Sequence, residues 1–252
     1  MPARTSYREG TPNWVDLATP DLEGATRFYG DLLGWTFQSA GVASGHYTLC
    51  LRDGVPVAGI GPQWDDSAPS MWSTYLASDD ADRTAARIVE AGGRVLMEPT
   101  DIFEAGRMLY AADPARAGFG VWQGRAHLGA GLVGEPGTFA WNELHTPEGA
   151  ATDAFYGAVF GYAYEQIGDG RNFDYVVIRA GDEVVGGRLR VTSAGTRSHW
   201  MTYFAVEDTD AAAAAVAAAG GAVVREPVDS PHGRLAVVQD PWGAVFAVIR
   251  RP

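Results

Sequence analysis

A chain of 252 residues with 46% hydrophobic and 20% charged side chains has a globular composition, long enough for one large core or two ordinary ones. Its 31 acidic against 19 basic residues give a formal charge of −12, which repels a phosphate backbone and argues against a nucleic-acid partner. The single cysteine, Cys50, excludes an intrachain disulfide and a multi-cysteine metal site, and its apolar neighbours make it a small buried hydrophobe. The first ten residues lack the apolar centre of a signal peptide, and no later run approaches the roughly 20 apolar residues of a membrane helix, so a cytoplasmic protein is expected.

In chain order, a strand-like run around Trp14 leads to a helix capped by Asp21. Its Leu22, Ala25, Phe28, Tyr29, Leu32 and Leu33 share one stripe, and Gly34 is placed to end it. Tyr47–Leu51 and Val55–Ile60 alternate as half-buried strands, and a second helix follows Asp80 and closes on Gly92-Gly93. The pattern then repeats. Trp14-Val15-Asp16-Leu17-Ala18-Thr19-Pro20-Asp21 returns as Trp141-Asn142-Glu143-Leu144-His145-Thr146-Pro147-Glu148, an offset of 127. Trp72, Tyr75, Arg107 and Asp113-Pro114 return as Trp200, Tyr203, Arg234 and Asp240-Pro241 in nearly the same register. A third helix is expected from Thr146 to Phe160 and a fourth after Asp208, closing on Gly220-Gly221, with strands at Tyr175–Ile178 and Leu235–Val238. The expected domains are residues 1–124 and 138–252, joined by a glycine-rich linker over 125–137.

The run Trp-x-x-Leu-x-Thr-x-Asp, the Phe-Tyr-Gly inside the helix and the later Asp-Pro turn resemble the glyoxalase/bleomycin-resistance/dioxygenase branch of the vicinal oxygen chelate superfamily. The likeness extends to its two-domain actinobacterial type, exemplified by the mycobacterial 27 kDa antigen. The resemblance implies an α+β fold of two tandem glyoxalase-like domains, four βαβββ units forming two open cup-shaped sheets with ligand on the concave faces. It also implies where a divalent metal would be held, and there the sequence departs. The first-strand ligand position falls on Trp14 and Trp141, the fifth-strand position on Ser73 and Met201, and the last-strand position on Gly120 and Ala247. Val57–Gly61 and Val185–Leu189 contain no acid. These residues lack the imidazole or carboxylate donors such ions need, so neither a metal nor another cofactor is expected.

Strand alternation assigns the linings. The first cup is expected to present Trp14, Asp16, Ser73, Tyr75 and Trp122, with Met71 beside them and Gly118 and Gly120 leaving space. The second is expected to present Trp141, Glu143, His145, His199, Met201 and Tyr203. Trp14 and Trp141 either wall a ligand site or plug it, and Asp16 and Glu143 either serve a ligand or form ion pairs with Arg107, Arg188 or Arg234. His232 reads as a turn residue, and His46 and His127 show no partner in the sequence. Only the second cup combines an acid with two histidines, so Glu143, His145 and His199 are the candidate acid/base residues.

The partner expected is a small molecule, aromatic or polycyclic, with no nucleic acid and no membrane, bound by a monomer or weak homodimer. Three functions follow: a metal-independent tailoring or detoxifying enzyme acting on a carbonyl-bearing or aromatic substrate, a drug-sequestering protein, or a metal-dependent glyoxalase or dioxygenase, the last disfavoured by the ligand positions.

Overall fold

The computed structural model describes residues 4–63, 69–193 and 195–252. The first half runs β1 (Pro12–Thr19), α1 (Leu22–Leu33), β2 (Thr36–Ser39), β3 (Thr48–Arg52), β4 (Val55–Pro62), β5 (Met71–Ala77), α2 (Ala81–Glu90), β6 (Arg94–Ile102), β7 (Gly106–Ala112) and β8 (Gly118–Gly124). The second half repeats this order as β9 (Phe139–Thr146), α3 (Gly149–Phe160), β10 (Ala163–Ile167), β11 (Tyr175–Ala180), β12 (Glu183–Arg190), β13 (His199–Ala205), α4 (Thr209–Ala218), β14 (Ala222–Ser230), β15 (Gly233–Gln239) and β16 (Val245–Arg250). Each half forms one eight-stranded mixed sheet, ordered β2-β3-β4-β1-β5-β8-β7-β6 and β10-β11-β12-β9-β13-β16-β15-β14, and neither closes into a barrel. The four expected βαβββ units are therefore present. Among the described residues no helix is long and apolar enough to cross a membrane.

The helix starts follow side-chain capping. The carboxylates of Asp21, Asp80 and Asp208 accept from the backbone N–H groups of Gly24, Arg83 and Ala211, relieving donors that the first helical turn leaves unpaired. The third helix differs from its expected span. Thr146 ends β9 and uses its hydroxyl on the Glu148 N–H, Glu148 makes no side-chain cap, and α3 begins at Gly149. Gly34 ends α1 and Gly161 ends α3 in the left-handed conformation that glycine adopts without strain.

Among the described residues the two larger hydrophobic cores do not follow the two halves. One joins Ala25, Phe28, Tyr29 and Leu33 of α1 to Val216 of α4 and to Phe204 and Phe246 of the second sheet. The other joins Ile88 of α2 and Phe119 of β8 to Phe155, Tyr156 and Phe160 of α3. Matched polar staples cross the interface. Trp72 donates to the Tyr29 hydroxyl, which donates to Asp240 at 2.9 Å. Trp200 donates to Tyr156, whose hydroxyl bonds to Asp113. The aspartates of both Asp-Pro turns thus anchor a tyrosine from the opposite half. Asn142 adds a third tie, accepting from Thr74 at 2.8 Å and from Thr202 at 3.3 Å. The segment joining the halves packs against the first half, through Ala130 N–H to Asn13 and Gly131 N–H to Pro56.

Candidate functional site

The concave floor of each cup is built around one acid. In the first, β1 sets Asp16 opposite Ser73 of β5 and beside Gly59 of β4. In the second, β9 sets Glu143 opposite Met201 of β13 and beside Gly187 of β12. Two tyrosines close on each acid. Trp14 donates its indole N–H to the Tyr47 hydroxyl at 2.8 Å, Tyr47 donates to Asp16 at 3.3 Å, and Tyr75 bonds to the same carboxyl. The second half matches it: Trp141 donates to Tyr175 at 3.2 Å, and Tyr175 and Tyr203 both bond to Glu143, Tyr203 at 2.9 Å.

Tyr47 and Tyr175 were not singled out in the sequence as site residues, although they share the repeat register with an offset of 128, as do Gly59 and Gly187. The pairing has a steric reason. A Cβ at Gly59 would lie 1.9 Å from the Tyr47 hydroxyl oxygen, and one at Gly187 would lie 2.1 Å from that of Tyr175. The glycine beside each acid is what lets the phenol lie across the floor.

Several expectations need correction. Gly120 leaves no open space, because a Cβ there would meet the Tyr75 ring at 2.1 Å, and Gly118 lies beneath Tyr110. Asp16 and Glu143 form no ion pair with the arginines considered for them. Arg107 is taken by Asp82 and Asp101, Arg188 by Asp153 and Asp174, and Arg234 by Asp210 and Asp229. His127 does have partners, since its ring meets Trp14 edge-on at 4.5 Å and Trp122 at 5.8 Å, while the Trp122 indole donates to its backbone carbonyl. Trp14 and Trp122 are thereby buried, Ser73 lies against Tyr110, and Met71 sits exposed at the rim.

The two acids differ in charge state. Burial pushes the Asp16 carboxyl up to about 7, against the hydrogen bonds of Tyr75 and Tyr47 that pull it down. Burial acts the same way on Glu143, but hydrogen bonds from His145, Tyr175 and Tyr203 and the His145 charge outweigh it and hold that carboxyl below its ordinary value. The distinguishing partner is His145, whose Nε2 lies 2.6 Å from Glu143 Oε1. An ionised carboxylate only accepts, so Nε2 carries a proton and Nδ1 is the second nitrogen.

His199 completes the group, its ring centroid 5.0 Å from that of His145. Its Nδ1 lies 2.9 Å from the Arg197 carbonyl, which can only accept, and this leaves Nε2 as the basic nitrogen. Burial lowers the His199 imidazole below its ordinary value and keeps it neutral near pH 7. The three candidate acid/base residues therefore meet in one place. Beside them Met201, Tyr203, Ala247 and Ile249 form an apolar cluster with Trp141, Leu235 and Val237 packed against it.

Residues 11–121 and 138–248 each match the sequence profile of the Glyoxalase/Bleomycin resistance protein/Dioxygenase superfamily. The chain belongs to this superfamily. Over 256 residues it is 44% identical to the protein CFP32 of Mycobacterium tuberculosis, whose name assigns it provisionally to the glyoxylases, covering 99% of this chain and 98% of that protein. Over 262 residues it is 39% identical to the anthracycline biosynthesis protein DnrV of Streptomyces peucetius, covering 97% and 94%. Solved superfamily structures share the fold at low identity. The Mn(II)-bound glyoxalase of Novosphingobium aromaticivorans superposes with a TM-score of 0.67 at 17% identity, covering 96% of this chain and 82% of that one. The 2,3-dioxygenase LapB of Pseudomonas sp. KL28 gives 0.66 at 14%, covering 98% and 95%.

Against the superfamily's metal, the carried-over positions offer the wrong chemistry. Both indole N–H groups are donors already given to tyrosines, Met201 is packed in the apolar cluster, and Gly120 lies under Tyr75. A hard divalent cation needs carboxylate or imidazole donors there, and these residues do not fit it. Among the described residues no group of three His, Cys, Asp or Glu side chains could hold a metal ion.

Proposed function

We propose that this superfamily member is a metal-independent enzyme whose second cup performs acid/base chemistry on a carbonyl-bearing or aromatic small molecule. The observation that carries this reading is the 2.6 Å contact of His145 with an ionised Glu143, set beside a neutral His199 whose Nε2 is its basic nitrogen. In this reading His199 takes a proton from the substrate. His145, its Nε2–H held by Glu143, donates from Nδ1 in its imidazolium form to the oxygen on which charge develops and is left neutral, the carboxylate having stabilised that imidazolium beforehand. Such assistance is worth about 10²–10⁴ in rate. The tyrosines fix the carboxylate, and the apolar wall beside it keeps water from competing. Two relatives named for anthracycline biosynthesis, DnrV and DauV, support a polycyclic aromatic as the guest.

The apolar wall also favours a second reading, in which the cup sequesters a drug-like molecule without transforming it. Native mass spectrometry of the protein, purified without chelator and mixed with a metabolite extract, tests both. The enzymatic reading expects less than stoichiometric divalent metal, a bound aromatic ligand, and conversion of that ligand on incubation. Near one equivalent of zinc, iron, nickel or manganese, removable with loss of activity, overturns metal independence. A ligand that returns unchanged at every pH establishes sequestration.

A further inference from the structure

The wall of the second cup carries a cation that the acid/base group does not use. Arg225 of β14 lies opposite Val237 of β15, Val237 lies opposite Ala247 of β16, and Ala247 pairs with Tyr203 of β13. Residues paired directly across strands share a face, so this row lies on the concave side with the apolar cluster. Burial raises the Tyr203 phenol, and the Arg225 charge acts the other way, which places the guanidinium within electrostatic reach of the floor. Among the described residues no hydrogen bond or ion pair holds Arg225, whereas Arg107, Arg188 and Arg234 each grip two carboxylates. Arg225 is exposed on the edge strand, and in a chain with a net charge of −12 a cation without a carboxylate partner on the concave side is set apart from its surroundings. The equivalent position in the first cup is Met97, which faces Tyr110 and carries no charge.

We infer that the second cup takes an extended planar anion, its acidic group held by Arg225 and its reacting end at His199. This rests on the acid/base reading of that cup. Glu143 does not oppose such a ligand strongly, because His145, Tyr175 and Tyr203 all direct donors at its carboxylate. The two ends are far apart. His199 and Tyr203 are separated by four residues of β13, about 13 Å at the usual rise of a strand, and Arg225 lies in the Tyr203 row three strands across, about 14 Å further at the usual strand spacing, part of which its long side chain spans. A three-carbon dicarbonyl cannot bridge that distance, and a linear polycycle bearing a carboxylate can. Arginine suits the role because its planar fork meets a carboxylate with two parallel hydrogen bonds and also stacks on rings.

Fluorescence titration with anthracene-2-carboxylate and anthracene-2-carboxamide, which have the same shape and differ in charge, tests the assignment. The acid is expected to bind the wild type about tenfold more tightly than the amide, a difference that shrinks as salt is raised. Arg225→Met, which installs the first cup's residue, should erase the preference by weakening the acid far more than the amide, and Arg225→Lys should keep part of it. Equal affinity for acid and amide, or an acid preference that survives Arg225→Met, overturns the anion assignment and leaves the acid/base reading standing. Binding of neither probe, or binding indifferent to Trp141→Ala, overturns the cup as the ligand site and takes both readings with it.

Discussion

The two cups share a frame and differ in what the frame holds. Each has a tryptophan donating to a tyrosine, and two tyrosines bonding to an acid over a glycine. In the first cup the acid meets only phenols, and burial leaves Asp16 with an ordinary carboxylate's charge at risk near neutral pH. In the second, one imidazole added two residues along the strand holds the charge on Glu143. The position matching His145 is Ala18, and that matching His199 is Met71. The comparison teaches that a buried carboxyl in this fold loses or keeps its charge near neutral pH according to a single neighbouring imidazole.

The sharpest way to break this comparison is to neutralise each acid. Glu143→Gln should lower turnover of the ligand captured by mass spectrometry by about a hundredfold or more, and Asp16→Asn should leave it within about twofold. Equal losses in steady-state assays would make the cups functionally alike. The same pair separates on stability. Because the folded-state value of Asp16 is raised, its contribution is fully present below the unfolded-state value, near 4, and is lost as pH rises through about 7. Asp16→Asn should therefore stabilise the protein at pH 8, by roughly 2–4 kcal/mol as an upper range, and change little at pH 4. Glu143, with a lowered value, behaves oppositely, its contribution being present at neutral pH and lost on acidification. Thermal unfolding at the two pH values decides both.

A smaller effect is expected at the indoles. Trp141 is partly exposed to its cup whereas Trp14 is buried against His127, so Trp141→Ala should weaken ligand binding by about tenfold and Trp14→Ala should act mainly on stability. Calorimetric titration of both variants checks this. The smallest expected effect is a displacement of the pH profile. With His199 as base and its value lowered by burial, turnover should rise with pH along an acidic limb whose midpoint lies below the ordinary imidazole value of about 6.5. A midpoint well above that value would remove His199 from the role.

Much of this was legible in the sequence because the repeat is a local signal. The near-constant offset from Trp14 to Asp240 predicted the duplicated units, and Asp21, Asp80 and Asp208 marked three helix starts through a side chain that needs only the next turn. Alternation also placed Glu143, His145 and His199 on one face. It could not reveal Tyr47 and Tyr175, because alternation gives the face a residue occupies and not how far its ring reaches across a neighbouring strand. That reach depends on the missing Cβ at Gly59 and Gly187. Gly120 was misread for the same reason, since a position without a side chain is open only if no neighbour lies over it. The crossed cores were hidden too, because a repeat says which residues are equivalent and nothing about which copy they pack against.

Those crossed cores govern how the chain can come into being. Tyr29 waits for Asp240, 211 residues downstream, and α1 has its apolar partner on α4 of the second half. A nascent first half would leave the ribosome with one side of each core uncovered, so its sheet can form early but its helices cannot settle until the second half arrives. Settling of the first half is thus tied to emergence of the second, and until then the apolar face of α1 has no partner to cover it.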